Sequence, residues 1–167
     1  MKKNQKGFSL IELLIVVAII LIIAAIAIPN LMRSRMAANE SSAVGSVRTI
    51  NTAMVTYNTS FPDTGYAATL TALGGATAAC APPAVATLGA ACLIDNLLSV
   101  VQQKSGYQFA AAGAATAGSL TNNIYTVSAV PLTIGATGNR GFFSDQSGVI
   151  RYTLDGTVPT IASSPLQ

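Results

Sequence analysis

The sequence has no histidine and no tryptophan, and few of its 167 residues carry a charge. The absence of histidine removes the commonest general base and the commonest metal ligand, and it excludes Ser–His and Cys–His catalytic pairs. Charged residues make up 9% of the chain, where about 25% is usual for a soluble globular protein. We therefore expect no enzyme activity, no cofactor and no metal site.

The chain also lacks a basic surface of the kind that binds nucleic acid. Its formal net charge is +3, but Lys2, Lys3 and Lys6 all precede the first long apolar run. If the first seven residues are set aside, nine basic residues become six and match the six acidic residues of the chain. The positive charge thus belongs to the start of the chain, and we predict no nucleic-acid partner.

What the sequence does contain is a long apolar run, Phe8–Ile28, close to its beginning. As a helix these residues are about 31 Å long, which is close to the hydrocarbon thickness of a bilayer. The lysines before the run favour a cytoplasmic location for that end, so the rest of the chain is expected outside. Glu12 lies within this run, and a carboxylate at membrane depth indicates a function.

Three interpretations of the run are open. A secretory signal peptide would be cut after the sequence "AIA" of Ala25–Ala27, and a plain signal anchor would stay uncut. Neither explains Glu12. The third is a cut between Gly7 and Phe8, which creates a new amine at Phe8, four residues before Glu12 on one helix face. The amine and the carboxylate can then pair within one subunit or between neighbours.

The stretch "KGFSLIELLIVVAIILIIAAIAIPNL" resembles the prepilin leader of type IV pilins and of the related type II secretion pseudopilins. The resemblance covers about the first 30 residues and rests on Gly7, Phe8, Glu12, the uninterrupted apolar run and Pro29. It implies a leader peptide of residues 1–7, cleavage by a prepilin peptidase, and N-methylation of Phe8. It also implies a bacterial inner-membrane anchor that later forms the core of a homo-oligomeric filament, with Glu12 in the family's assembly role.

The helix is expected to continue beyond the membrane. Pro29 should kink it, because proline removes one backbone donor. Residues 29–58 form its amphipathic second half, and their apolar stripe predicts core packing against a sheet. The members of the stripe are Met36, Ala43, Val47, Ile50, Met54 and Tyr57. Arg33 and Arg35 form a solvated face or contact Glu40 across a subunit boundary.

Residues 59–167 are predicted to form a globular head. Residues 59–105 are a loop region with a short helix near Leu93–Gln103, and residues of about 106–155 form three or four antiparallel strands before a tail. The fold class is α+β, a long helix packed by its outer half on an antiparallel sheet. This arrangement is similar to the pilin fold.

Cys80 and Cys92 are the two cysteines. An even pair in an exported chain predicts one disulfide, and two buried free thiols are the alternative. The head's four aspartates lie in or near turns or helix starts, where local backbone bonding favours them. That position favours turn chemistry over a Ca²⁺ site.

These patterns predict a structural subunit of a type IV pilus-like filament, with its head periplasmic before assembly and the filament extracellular or periplasmic. Its expected partners are copies of itself, the prepilin peptidase, an inner-membrane assembly platform, and membrane lipid before assembly. One alternative is a pseudopilin of a type II secretion or DNA-uptake system. A more distant alternative is an exported soluble binding module with a cleaved signal peptide.

Overall fold

A computed structural model describes residues 9–75, 79–82 and 85–166. Its first element is a helix of 51 residues, α1, Leu10–Ser60, with Pro29 inside it. The chain divides into two compact units between Arg35 and Met36. The predicted boundary between the apolar and amphipathic parts of the helix, after residue 28, stays a prediction. The α+β class and the long N-terminal helix are confirmed.

The part of α1 in the first unit exposes its side chains. Its residues from 10 to 35 are exposed, apart from the partly covered Ala24. Leucine, isoleucine and valine occupy all sides of the helix, so no single face can be selected for burial. The helix here is held by its own backbone hydrogen bonds, and its side chains have no core of their own.

The part of α1 in the second unit is buried along one face. Five members of the predicted stripe are buried, and Met36 at its start is half-buried. The spacing of the stripe places these residues on one side of the helix, where they join the core. The buried residues of α1 are Glu40, Ala43, Ser46, Val47, Ile50, Ala53, Met54 and Tyr57.

The sheet has six antiparallel strands in sequence order, so each strand pairs with the one before it. The strands are β1 Gln103–Lys104, β2 Tyr107–Ala114, β3 Ile124–Pro131, β4 Gly141–Asp145, β5 Arg151–Thr153 and β6 Ser164–Pro165. The longest pairing joins β2 to β3, from Tyr107 opposite Pro131 to Ala114 opposite Ile124. The four inner strands correspond to those expected from the sequence. The two edge strands have two residues each and were not predicted.

Alternation along the inner strands builds the core of the head. Tyr107 and Phe109 on β2, and Tyr125 and Val127 on β3, point inward and are buried. Phe142 on β4 joins them. Alternate residues of a strand lie on the same face of a sheet. Here that face packs against the apolar stripe of α1. Burial raises the pKa of Tyr125 to about 12, with the Tyr66 and Asp145 groups adding to the shift.

The segment between α1 and the sheet contains two short helical pieces. The helix α2, Leu70–Gly74, is capped by Thr69, whose hydroxyl accepts the N–H of Ala72. The predicted helix near Leu93–Gln103 is a shorter π-helical turn, Leu97–Val101. Just before this turn, Asp95 Oδ1 accepts the N–H of Leu98 at 2.9 Å.

The predicted disulfide between Cys80 and Cys92 is present. It lies where the chain already returns to α2, because Ala91 donates to Ala72 and Leu93 donates to Leu73. The bridge therefore closes a loop whose Cys92 end is also held by backbone hydrogen bonds.

Candidate functional site

The helix α1 begins at Leu10, and the side chain of Glu12 in its first turn reaches back to Ser9. The Oε2 atom of Glu12 accepts the backbone N–H of Ser9 at 2.9 Å. Ser9 stands directly before the first helical residue, and Glu12 is the third residue inside the helix. This is one half of a capping box, in which the carboxylate satisfies a backbone donor that the helix leaves free. The partial positive charge at a helix N-terminus also favours a carboxylate there.

The sequence analysis assigned Glu12 to an amine created at Phe8. Gly7 and Phe8 lie outside the described residues, so the cleavage point and the methylation of Phe8 stay predictions. The partner observed for Glu12 is the backbone N–H of Ser9, the residue that follows Phe8. A carboxylate can accept about four hydrogen bonds. The contact with Ser9 therefore leaves capacity on Glu12 for an amine one residue earlier in the chain.

Sequence reasoning missed the contact between Ser9 and Glu12, although its signal was present. Serine followed three residues later by glutamate, just before an apolar run, is typical of a helix start. The capping role and the amine-pairing role require the same carboxylate at the same end of the helix. The position of Glu12 is thus explained even in a chain that keeps its first residues.

Beyond Glu12, α1 exposes a continuous apolar surface. Contiguous exposed apolar patches larger than a few hundred Å² are rare on soluble monomers and mark membrane or protein contact. By length and composition this helix is able to cross a membrane. The large exposed side chains from residue 10 to residue 28 are Leu10, Ile11, Leu13, Leu14, Ile15, Val16, Val17, Ile19, Ile20, Leu21, Ile22, Ile23, Ile26 and Ile28.

Pro29 lies inside α1, and the helix continues past it to Ser60. Proline has no N–H, so the hydrogen bond that position 29 would donate to the carbonyl of Ala25 is absent. Nothing in the structure tests whether this produces the expected kink, which stays a prediction.

A second glutamate of α1, Glu40, has surroundings that the sequence did not reveal. Its Oε1 atom accepts the N–H groups of Asn139, at 2.9 Å, and Arg140, at 3.2 Å. Its Oε2 atom accepts Nε–H of Arg140 at 2.7 Å. The Glu40 side chain is 10% exposed and that of Arg140 is 40% exposed. This carboxylate is therefore already bound within the head, which argues against the predicted contact with Arg33 and Arg35 of a neighbour.

The loop that precedes β4 is fixed by several such contacts. Asn39 donates its amide N–H to the carbonyl of Thr137, and the Tyr107 hydroxyl donates to the carbonyl of Arg140, both at 2.9 Å. The Tyr107 ring lies so close to Gly138 that a side chain there would collide with it. Burial, followed by the charge of Glu40, raises the pKa of Tyr107. We infer that Glu40 and its neighbours fasten the sheet to the helix.

The aspartates of the head serve its turns. Asp145 Oδ1 accepts N–H and O–H from Ser147, and Asp155 Oδ1 accepts the same two donors from Thr157. The turn after β4 ends at Gly148, whose φ of +73° suits glycine. Across the described residues, no group of three or more candidate metal ligands comes together.

The apolar helix and its glutamate are the features that the comparisons with known proteins recognise. Residues 2–28 match the family model of the prokaryotic N-terminal methylation motif. The methylation motif thus covers Glu12 and ends at the last residue of the expected membrane span.

Three relatives extend the similarity. The chain is 62% identical over 39 residues, 23% of its length, to 30% of the type IV wide pilus major component PilA4 of Thermus thermophilus. It is 46% identical over 54 residues, 32% of its length, to 24% of the type IV major pilin protein PilA of Myxococcus xanthus. It is 33% identical over 66 residues, 38% of its length, to 46% of the type II secretion system core protein G of Aeromonas hydrophila.

The chain spans less than half the length of each of these curated relatives. No solved structure matches it significantly. The similarity to these relatives therefore concerns a limited share of the sequence, at most 38% of the chain for the three named here.

Proposed function

We propose that this chain is a structural subunit of a type IV pilus-like filament. The observation that carries the proposal is the match of residues 2–28 to the methylation motif, on a helix whose apolar side chains are exposed on all sides. An apolar surface of this size needs lipid or other helices around it. A filament subunit uses both, first lipid and then neighbouring subunits.

The first step is processing. A prepilin peptidase cuts between Gly7 and Phe8, and the new amine of Phe8 is methylated. The residues that remain begin with the apolar helix, which anchors the subunit in the inner membrane with its head in the periplasm. The removed lysines leave a chain with balanced charge, so the anchor depends on the helix alone.

The second step is assembly, in which helices leave the bilayer and pack side by side. Lipid tails are as apolar as these side chains, so burial of apolar surface does not itself select a partner. Glu12 supplies the selection, because an unpaired carboxylate at membrane depth costs a few kcal/mol. Packing that brings an amine of Phe8 to Glu12 removes this cost and sets the stagger between subunits.

Two measurements test the proposal. Mass spectrometry of the mature protein is expected to find methylated Phe8 at its N-terminus. A start after Ala27, or an intact Met1, would refute the assignment. In cells that make Glu12→Ala, we expect normal processing and at least a tenfold loss of filaments by electron microscopy, with Ser9→Ala as the control that keeps Glu12. Normal filaments in Glu12→Ala would remove Glu12 from the assembly step.

The second candidate is a pseudopilin of a type II secretion system. It is favoured by the similarity to core protein G, which covers more residues than that to either pilin. Both functions share the processing and the helix packing. Deleting the gene distinguishes them, because a pilin mutant loses surface fibres whereas a pseudopilin mutant loses secretion of exported proteins.

A further inference from the structure

We propose that Arg33 and Arg35 bind the phosphate groups of anionic membrane lipids and fix the depth of the helix in the bilayer before assembly. The proposal rests on the membrane anchoring proposed above. It does not depend on which side of the membrane the head occupies, because both leaflets present phosphates.

The position of the two arginines follows from helix geometry. A hydrocarbon core that ends near Ile28 places Arg33 about 7.5 Å and Arg35 about 10.5 Å farther along the axis. The headgroup layer on each side of a bilayer is about 5–8 Å thick. Between these points Leu31 and Met32 are 70% and 50% exposed, so the apolar surface continues into that layer. Arg33 therefore lies at its outer limit and Arg35 just beyond it.

Both arginine side chains point back toward the lipid. Side chains on an α-helix lean toward its N-terminus, and for α1 that direction is toward the membrane span. Both arginines are exposed, and a separation of two residues places them on nearly opposite sides of the helix. Each is thus able to bind a separate lipid, with the parallel N–H groups that suit a phosphate.

The carboxylate nearest to them in the sequence does not compete for this role. Glu40 already accepts two backbone N–H groups and the Nε–H of Arg140. Once the leader lysines are removed, Arg33 and Arg35 are also the basic residues nearest to the span. The processed subunit then depends on them for attraction to anionic lipid.

The test measures lipid selectivity with spin-labelled lipids around the full chain in phosphatidylcholine vesicles. Electron paramagnetic resonance reports the lipid held at the protein, with phosphatidylglycerol compared to phosphatidylcholine. Each arginine is expected to favour the anionic lipid about fivefold at its own site. Arg33→Gln/Arg35→Gln should reduce the selectivity to the level that the lysines before the apolar run produce. The variant Arg33→Lys/Arg35→Lys should keep most of the selectivity. Arg48→Gln, farther along the same helix and also exposed, is the matched control.

The possible results separate the two proposals. Unchanged selectivity in Arg33→Gln/Arg35→Gln, with protein-held lipid still present, overturns the lipid sites and leaves the membrane anchor intact. Absence of protein-held lipid from the wild type overturns the anchor itself. Loss of selectivity on addition of soluble glycerol phosphate, at the concentration of the lipid, shows a general phosphate site and overturns the assignment to the membrane.

Discussion

The two halves of α1 are continuous in backbone and opposite in packing. Residues 10–35 expose apolar side chains on every side, whereas residues 36–60 bury one face against the sheet. Helix propensity alone does not explain either state, because isolated helices in water are marginal. The second half is stabilised by the head of its own chain. The first half exposes its side chains along the described residues and is suited to a surrounding that other molecules provide.

The two glutamates of α1 show the same difference. Glu40 is buried and bound to three donors about 100 residues away, so it serves the fold of one chain. Glu12 is exposed and accepts one donor from the adjacent turn, so it has capacity for a partner outside the chain. The following predictions use this comparison, from the largest expected effect on head stability to the smallest.

The largest effect is expected from the core of the head. Phe109→Ala removes a fully buried ring and should lower the free energy of unfolding by about 3–5 kcal/mol. Ile19→Ala in the exposed half should leave it unchanged, because no head residue loses a contact. Denaturant unfolding in mild detergent, followed by circular dichroism, measures both. An equal loss from both variants would abolish the distinction between the halves.

The disulfide should contribute somewhat less. Cys80 and Cys92 are 12 residues apart, and replacing both with serine should lower the free energy of unfolding by about 3 kcal/mol on the chain-entropy estimate. Adding a reductant should destabilise the wild type by a similar amount and leave the double-serine variant unaffected. If reductant destabilises that variant as well, the effect does not come from the bridge.

Breaking the contact between Glu40 and Arg140 should have an intermediate effect. Glu40→Ala leaves two backbone N–H groups and a partly covered guanidinium without their acceptor, so we expect a loss of about 2 kcal/mol. Glu12→Ala should change head stability by less than about 0.5 kcal/mol, because its effect is local to the first turn. Thermal melting of the two variants side by side provides the measurement. A melting point for Glu40→Ala equal to that of Glu12→Ala would contradict the fastening role.

Among the contacts within the head, the smallest effect should come from the partly exposed pair of Asp95 and Lys104, 2.8 Å apart. Burial acts to raise the pKa of Asp95, but hydrogen bonds from Lys104 and Leu98 and the Lys104 charge together lower it. A lowered pKa in the folded state stabilises the head above the unfolded pKa, and this contribution disappears as pH falls through the folded pKa. Asp95→Asn should therefore cost up to about 1 kcal/mol at pH 7, and this cost should disappear as the pH falls through the folded pKa of Asp95. A cost that persists in acid would assign the effect to the hydrogen bond with Leu98 alone.

Much of this architecture is predictable from short-range patterns. The long helix follows from an apolar run continued by a stripe at helical spacing. The inner strands follow from alternation between turn residues such as those of Asp145–Gly148. The hydrogen bonds of Glu40 were not predictable, because its partners are distant in sequence and two of them are backbone groups. The edge strands were missed for a related reason, since two residues carry too little pattern to identify a strand.

Within the candidate site, the sequence identified Glu12 but missed its contact with Ser9. A carboxylate in an apolar run suggested a partner with a positive charge, whereas the structure supplies an uncharged backbone donor from Ser9. Local capping was overlooked because the membrane context dominated the interpretation. The proposed amine partner depends on a chemical event, the proposed cut before Phe8, and not on the fold.

The edges of the sheet have a consequence for which polymer the protein forms. At high concentration a chain of this kind can associate in two ways, by packing its helices or by pairing the unpaired edges of its sheets. Here both edge strands have two residues, and β6 contains Pro165, which cannot donate to a further strand. The sheet is thereby a poor template for growth, and the helix is left as the favoured route of self-association.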